Sequence, residues 1–160
     1  MAKEEKTNAM RMLDRKGIHY KVLTYECKNF TDGVSMAEAE GVPVELTYKT
    51  IVTQGKSGNH YVLVIPVAEE IDLKKAAAAC GEKSLEMVHV KDLFALTGYV
   101  RGGCSPIGMK KQFATILDSS AESYPEIYIS GGRIGLSLCV APPDILSITR
   151  GKFSQITRKH

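Results

Sequence analysis

Three short stretches of the chain combine residue types that could do chemistry. The first is Tyr48-Lys49-Thr50, where a lysine interrupts a run of β-forming residues. If this lysine points into a cleft, the loss of hydration lowers its pKa and makes it a usable proton donor or hydrogen-bond anchor. If it points to solvent, it is an ordinary lysine on an alternating strand. The residue pattern leaves both possibilities open.

The second stretch is rich in glycine. Residues 98–108 contain Gly98, Gly102, Gly103, Gly108 and Pro106. This composition predicts a rigid loop whose backbone amides can approach an anion or a carbonyl oxygen, although a plain long turn is the alternative. Two lysines follow directly and could hold phosphates; they are Lys110 and Lys111.

The third stretch is Ser130-Gly131-Gly132, at the end of a predicted strand. A serine beside two glycines is well placed for the rim of a pocket. It is equally well placed to be a plain hairpin residue, because serine and glycine both favour turns.

The sequence lacks the residue patterns that several other kinds of chemistry require. The four cysteines form no C-x-x-C pair and share no zinc-like spacing with the histidines, so we predict reduced thiols and no metal. Cys104, in the glycine-rich stretch, is the best candidate for a thiol nucleophile, without a local motif to support it. Met109 stands where a phosphate-binding loop needs lysine, which excludes nucleoside triphosphate hydrolysis. We expect no cofactor.

Composition predicts one globular domain over residues 1–160. The chain has 44% hydrophobic and 24% charged residues, which is enough for a core without disulfides. A net charge of +3 permits a polyanionic partner without requiring one. Trp is absent and aromatics are 7%, which argues against an aromatic-rich platform for stacking bases. With neither a signal sequence nor an apolar run of about 20 residues, we expect no membrane association and a cytoplasmic location.

Strand and helix signals alternate in an order that favours a mixed α/β domain over a doubly wound parallel sheet. We predict helices over residues 8–16, 35–40, 72–80 and 91–96, and a brief one from residue 142. We predict strands over residues 18–25, 47–53, 61–65, 112–117, 126–130, 134–140 and 152–156. Thr7 and Asp72 are predicted helix caps, and the Gly131-Gly132 pair is a predicted tight turn.

Together the three stretches resemble the YbaK/EbsC family of aminoacyl-tRNA deacylases, whose relatives include the editing domain of bacterial prolyl-tRNA synthetases. The resemblance lies in the lysine of Tyr48-Lys49-Thr50, in a Gly-Gly-x-Ser-Pro-x-Gly loop at residues 102–108, and in Ser130-Gly131-Gly132 ahead of a final strand. Order and separation match from about residue 11 to residue 153. Three motifs in order over one domain length are specific.

The resemblance implies a curved, barrel-like mixed β-sheet flanked by helices, with a pocket for the aminoacyl end of a tRNA. The implied catalytic residues are Lys49, Gly102 and Gly103. The implied substrate-binding residues are Tyr25, Phe30, Thr50, Cys104, Ser105, Pro106, Ser130 and Gly131. The implied contacts to tRNA phosphates are Arg101, Lys110 and Lys111. The Arg133-Ile134 pair is less basic than in close family members, which puts phosphate contacts there in doubt.

The implied activity is the release of cysteine from mischarged Cys-tRNA(Pro) by a free-standing enzyme, with prolyl-tRNA synthetase as a possible partner. The resemblance implies that the substrate's own thiol attacks its carbonyl, in which case the protein needs neither a triad nor a metal. One alternative is an Ala-tRNA(Pro) deacylase of the same fold that activates water in a smaller pocket. Another is a module that binds tRNA or a synthetase without chemistry, against which the presence of Lys49 and the glycine loop argues.

Overall fold

The computed structural model describes residues 6–24 and 41–158 of the chain. Within them are four α-helices and eight β-strands. The helices are α1 (Asn8–Arg15), α2 (Leu73–Cys80), α3 (Val90–Thr97) and α4 (Pro142–Thr149). The strands are β1 (Lys21–Thr24), β2 (Tyr48–Gly55), β3 (His60–Pro66), β4 (Leu85–Met87), β5 (Ala114–Asp118), β6 (Ile127–Ser130), β7 (Leu136–Val140) and β8 (Lys152–Ser154). Short 3-10 turns cover Val44–Leu46 and Ser119–Ser123.

The described strands form two sheets. The larger has the order β4-β2-β3-β5-β8, with β2 antiparallel to both β3 and β4, and β5 parallel to both β3 and β8. The smaller is the antiparallel sheet β1-β7-β6. The mixed α/β fold is thereby confirmed. The expected barrel-like sheet needs one correction, because the described strands do not close into a barrel. The start of β2 is linked to β6 by a lone bridge between Thr47 and Tyr128, and one bridge does not join the two sheets into a continuous one.

Helix capping follows the sequence closely. The Thr7 hydroxyl accepts a hydrogen bond from Met10 N at 3.3 Å and begins α1. The Asp72 carboxylate accepts one from Lys74 N at 3.0 Å and begins α2, which ends at Gly81 in the left-handed conformation. Both predicted caps are confirmed. Among the described residues, none of the helices has both the length and the hydrophobicity of a membrane span.

Three features differ from the predicted elements or lie beyond them. The short strand β4 was not predicted, because three residues show no periodicity and their pairing with the end of β2 is a tertiary contact. The predicted tight turn at Gly131 is wider, since Gly131 N donates to Leu136 O at 2.8 Å and closes a five-residue connection. The predicted helix over residues 35–40 lies outside the described residues.

Each face of the larger sheet packs against its own apolar cluster. Val62 and Val64 of β3 belong to a cluster shared with α1, the smaller sheet and the glycine-rich stretch. Leu63 and Ile65, on the other face, pack against Ala76 and other residues of α2. Directly paired residues on neighbouring strands lie on the same face of a sheet. The cluster that contacts each β3 residue therefore shows on which face its β2 partner lies.

Candidate active site

The glycine-rich stretch forms a closed loop. Its base is fastened by Lys110 N, which donates to Thr97 O at 2.9 Å. Its middle is spanned by the Tyr99 hydroxyl, which donates to Ile107 O at 2.7 Å. Tyr99 is 5% exposed, and burial raises its pKa well above the usual range. Because the neutral hydroxyl donates in a buried site, this hydrogen bond links the two arms of the loop.

The tip of the loop is a tight turn that requires glycine. Gly103 N donates to Val100 O at 2.9 Å, and Gly102 has a φ of 86°. That conformation is costly for any residue with a Cβ. Arg101 lies exposed on the same turn. The Gly103 amide is therefore used in a hydrogen bond inside the loop.

The second and third sequence stretches meet directly. A Cβ placed on Gly103 would lie 2.8 Å from Arg133 Cα and 2.9 Å from Ile134 N. A Cβ placed on Gly132 would lie 3.0 Å from Cε1 of Tyr99. Two backbones can approach this closely only without side chains between them. The glycines of both stretches thus hold the loop against the β6–β7 connection.

The N-terminus of α1 contacts both the glycine-rich loop and the β6–β7 connection. The Thr7 hydroxyl, already the cap of α1, donates to Gly131 O at 2.5 Å. A Cβ placed on Gly108 would lie 2.7 Å from Ala9 N. Sequence reasoning identified Thr7 only as a cap and gave Tyr99 no role. The signal for Tyr99 was an aromatic residue inside a glycine-rich stretch.

Most of the loop beyond its tip is buried. Cys104 is 7% exposed, and burial raises the pKa of its thiol to about 12. The thiol therefore stays protonated near neutral pH, unlike a reactive cysteine. Ser105 is fully buried, and its hydroxyl accepts a hydrogen bond from Ile107 N at 3.3 Å. Pro106 is buried beside them.

Lys49 and Thr50 lie on opposite faces of β2. Lys49 pairs with Ile65, on the α2 side of the sheet, and is half-buried. Thr50 pairs with Val64, on the side of the glycine loop. The Thr50 hydroxyl oxygen is buried and has no hydrogen-bond partner among the described residues. A buried hydroxyl of this kind carries a free-energy cost that a bound ligand can relieve.

The remaining predicted site residues lie around this assembly or beyond the described range. The Ser130 hydroxyl accepts a hydrogen bond from Gly132 N at 3.3 Å, as in a hairpin turn. Lys110 and Lys111 are exposed and lie near aromatic rings. Tyr25 and Phe30 lie outside the described residues. Within the described part of the chain, no three His, Cys, Asp or Glu residues are grouped to hold a metal ion.

A family model described as an aminoacyl-tRNA editing domain matches residues 28–148 of this chain. The matched range contains all three sequence stretches. The chain belongs to the aminoacyl-tRNA editing domain family. This confirms the resemblance drawn from the three motifs.

Individual relatives agree. A protein from Enterococcus faecalis, EbsC, named as a candidate Cys-tRNA(Pro)/Cys-tRNA(Cys) deacylase, is 46% identical over 157 residues, or 98% of this chain and 96% of the relative. The crystal structure of a candidate trans-editing enzyme for prolyl-tRNA synthetase superposes with a TM-score of 0.84 at 25% identity, covering 95% of this chain and 96% of that one. A hypothetical protein superposes with a TM-score of 0.85 over 95% of this chain and all of the other; its 20% identity supports the fold alone.

Proposed function

We propose that this chain is an aminoacyl-tRNA deacylase that releases cysteine from mischarged Cys-tRNA(Pro), with residues 1–160 forming one editing domain. Membership of the editing-domain family and 46% identity to EbsC support the activity and the substrate class. The observation that carries the mechanism is the loop itself. It is rich in glycine and closed by the hydrogen bond from Tyr99 to Ile107, and its own cysteine is buried with a thiol pKa of about 12.

The proposed chemistry uses the thiol of the bound cysteine. Its sulfur attacks the carbonyl carbon of the same residue, so a carbon–sulfur bond forms as the carbon–oxygen bond to the ribose breaks. The thiol proton passes to the ribose oxygen, and cysteine leaves as a cyclic thiolactone. An ester needs little activation of its nucleophile, and a thiol is a few per cent thiolate near neutral pH. The protein therefore has to position the ester and stabilise the oxyanion.

The glycine loop is the proposed source of that stabilisation. Gly102, Cys104 and Ser105 are the proposed amide donors, and one such donor is typically worth about 3 kcal/mol. The proposed role of Gly103 is structural. Because Gly103 has no side chain, the loop can pack directly against the backbone of Arg133, and this contact fixes the position of the loop. A preformed loop has no reorganisation to undergo during the reaction, which is how fixed dipoles favour a transition state.

The substrate pocket is proposed to lie between the loop, β2 and the β6–β7 connection. Thr50 supports this position, because its buried hydroxyl lacks a partner among the described residues and faces the side of the loop. We propose that Lys49, which lies on the opposite face of β2 from Thr50, acts outside this pocket and fixes the terminal adenosine or its phosphate as a point charge. The other proposed pocket residues are Tyr25, Phe30, Pro106, Ser130 and Gly131. The proposed phosphate contacts are Arg101, Lys110 and Lys111.

The low net charge of +3 bears on how the substrate arrives. Few phosphate contacts give weak binding to tRNA alone, because each neutralised phosphate contributes through counterion release. We propose that prolyl-tRNA synthetase presents the mischarged tRNA to this chain, and that the reaction takes place in the cytoplasm, where tRNA is charged.

A deacylation assay with Cys-tRNA(Pro) and Ala-tRNA(Pro) side by side tests the proposal. Wild-type protein should release cysteine and leave alanine attached. Lys49→Ala should lose most activity while keeping the wild-type circular dichroism spectrum. The matched control is Lys74→Ala, which removes an exposed lysine from α2 and should keep full activity.

Two outcomes of this assay would contradict the account. Faster release of alanine than of cysteine would replace it with the water-dependent Ala-tRNA(Pro) reaction. Full activity in a folded Lys49→Ala protein would make Lys49 a structural residue and remove it from the site.

A further inference from the structure

The outer face of α3 carries apolar side chains that no described element covers. Phe94 is 57% exposed and Val90 is 58% exposed, whereas Leu93 and Thr97 of the same helix turn toward the protein. Exposed apolar side chains that lie together on one helix face can mark a binding surface, whereas a single exposed one is ordinary. We call Val90, Phe94 and Lys110 the α3 patch.

The charge around the α3 patch is positive. The Lys110 ammonium lies 5.1 Å from the centre of the Phe94 ring, close enough for a cation–π contact. Lys91 is exposed next to Val90, and Lys111 is exposed next to Lys110.

The nearby acidic residues lie on another side of the helix. Asp92 and Glu86 line a groove of about 390 Å³ together with Gln54 and His60. At about 100° per residue, Asp92 is rotated about 160° around the helix from Phe94. The patch is therefore an aromatic ring bordered by cations and turned away from the carboxylates.

We propose that the α3 patch binds the single-stranded 3′ tail of the tRNA, with one base stacked on Phe94 and Lys110 at the neighbouring phosphate. This inference rests on the proposed function and adds a contact to it. Unpaired bases stack on exposed aromatic rings, and cations beside the ring follow the backbone. A lone ring suits a single base, in keeping with the low aromatic content of the chain.

The position of the patch suits this partner. Gly98 ends α3 and begins the glycine loop, whose tip is at Gly103. Gly98 and Gly103 are five residues apart, and five residues span at most about 18 Å. The start and the tip of the loop therefore lie within about 18 Å of each other. A short single-stranded tail whose last nucleotide enters the site can therefore leave an earlier base beside Phe94.

The test is a binding measurement that does not depend on cleavage. The probes are uncharged tRNA(Pro) with its complete 3′ tail and the same tRNA with the tail removed, both at low salt. Phe94→Leu keeps an apolar side chain but removes the ring, and it should raise the Kd for intact tRNA about five- to 150-fold. It should leave the Kd for trimmed tRNA unchanged. Phe94→Tyr should bind as the wild type does.

A matched control is Met87 at the end of β4, which lies on the groove side of α3. Met87 is 54% exposed and lines the groove, so Met87→Ala removes exposed apolar surface away from the patch and should not change either Kd. Equal binding by Phe94→Leu and wild type would overturn the proposal. An equal loss with intact and trimmed tRNA would also overturn it, because the tail would then not be the ligand.

The proposal and the proposed function fail in different ways. Tail-dependent binding that needs Phe94, in a protein that releases no amino acid, would keep the patch and reject the deacylase. Normal release of cysteine with tail binding that ignores Phe94 would keep the deacylase and reject the patch.

Discussion

Gly103→Ala tests whether the contact between the glycine loop and the β6–β7 connection matters for activity. The added methyl group would lie 2.8 Å from Arg133 Cα and 2.9 Å from Ile134 N, and both are backbone atoms that cannot rotate away. The loop or the connection must then move by several tenths of an ångström. Overpacking of this kind costs about 1–3 kcal/mol. For a chain of this size we expect the melting temperature to fall by about 2–12 °C.

The expected effect on deacylation is larger than the loss of stability implies. A misplacement of about 1 Å at reacting groups costs on the order of a hundredfold in rate, so the smaller shift here should cost about tenfold or more. The assay is the single-turnover rate on Cys-tRNA(Pro) well below the melting temperature. The control is Gly81→Ala at the end of α2, where φ is 71° and a Cβ meets nothing within 4 Å. It should lose about 1–2 kcal/mol of stability and keep its rate.

Two results would refute this reasoning. A destabilised Gly103→Ala protein with the wild-type rate would show that the loop position is not important for the reaction. Equal rate losses in Gly103→Ala and Gly81→Ala would show that activity follows global stability and not the local contact.

Three further predictions follow from the same structure. Cys104→Ala should deacylate Cys-tRNA(Pro) near the wild-type rate and lose about 1–2 kcal/mol of stability; a folded variant that binds but does not cleave would establish a covalent cysteine mechanism instead. Urea unfolding should show stability falling as pH rises above about 9, because the folded pKa values of Cys104 and Tyr48 are raised to about 12 and the unfolded chain releases these protons first; stability that rises over this range would contradict the burial of both groups. The logarithm of tRNA affinity should fall with the logarithm of salt with a slope of about −2 to −3, as expected for three phosphate contacts, and Lys111→Ala should make that slope shallower by about 1; a slope steeper than about −5 would reveal an extended basic track.

Local signals allowed most of the described elements to be predicted. The α2 helix begins at Asp72 and ends at Gly81 as predicted, because a side-chain cap and a left-handed glycine are properties of the local sequence. Strand ends were less accurate. The strand predicted from residue 18 begins at Lys21 in the structure, where pairing with β7 starts. The split into two sheets could not be predicted, since it depends on which strands meet in space.

The site shows the same division. Its glycines were identified from composition, but the contact of Gly103 with Arg133 joins segments that are distant along the chain. The burial of Cys104 was also hidden, because only the folded core determines whether a thiol in a glycine-rich stretch is accessible. The partnerless hydroxyl of Thr50 depends on which face of β2 it occupies. Pairing register sets that face, and a one-residue slip would reverse it.

The central claim is that the substrate's own thiol cleaves the ester, and the most direct test compares Cys-tRNA(Pro) with Ser-tRNA(Pro). Serine is nearly isosteric with cysteine, so a pocket alone discriminates poorly between them, whereas a hydroxyl is a far weaker nucleophile than a thiol. The account predicts that wild-type protein releases cysteine rapidly and leaves serine attached, although both tRNAs bind. Release of serine at a rate comparable to that of cysteine would contradict the account and would require a nucleophile supplied by the enzyme or by water.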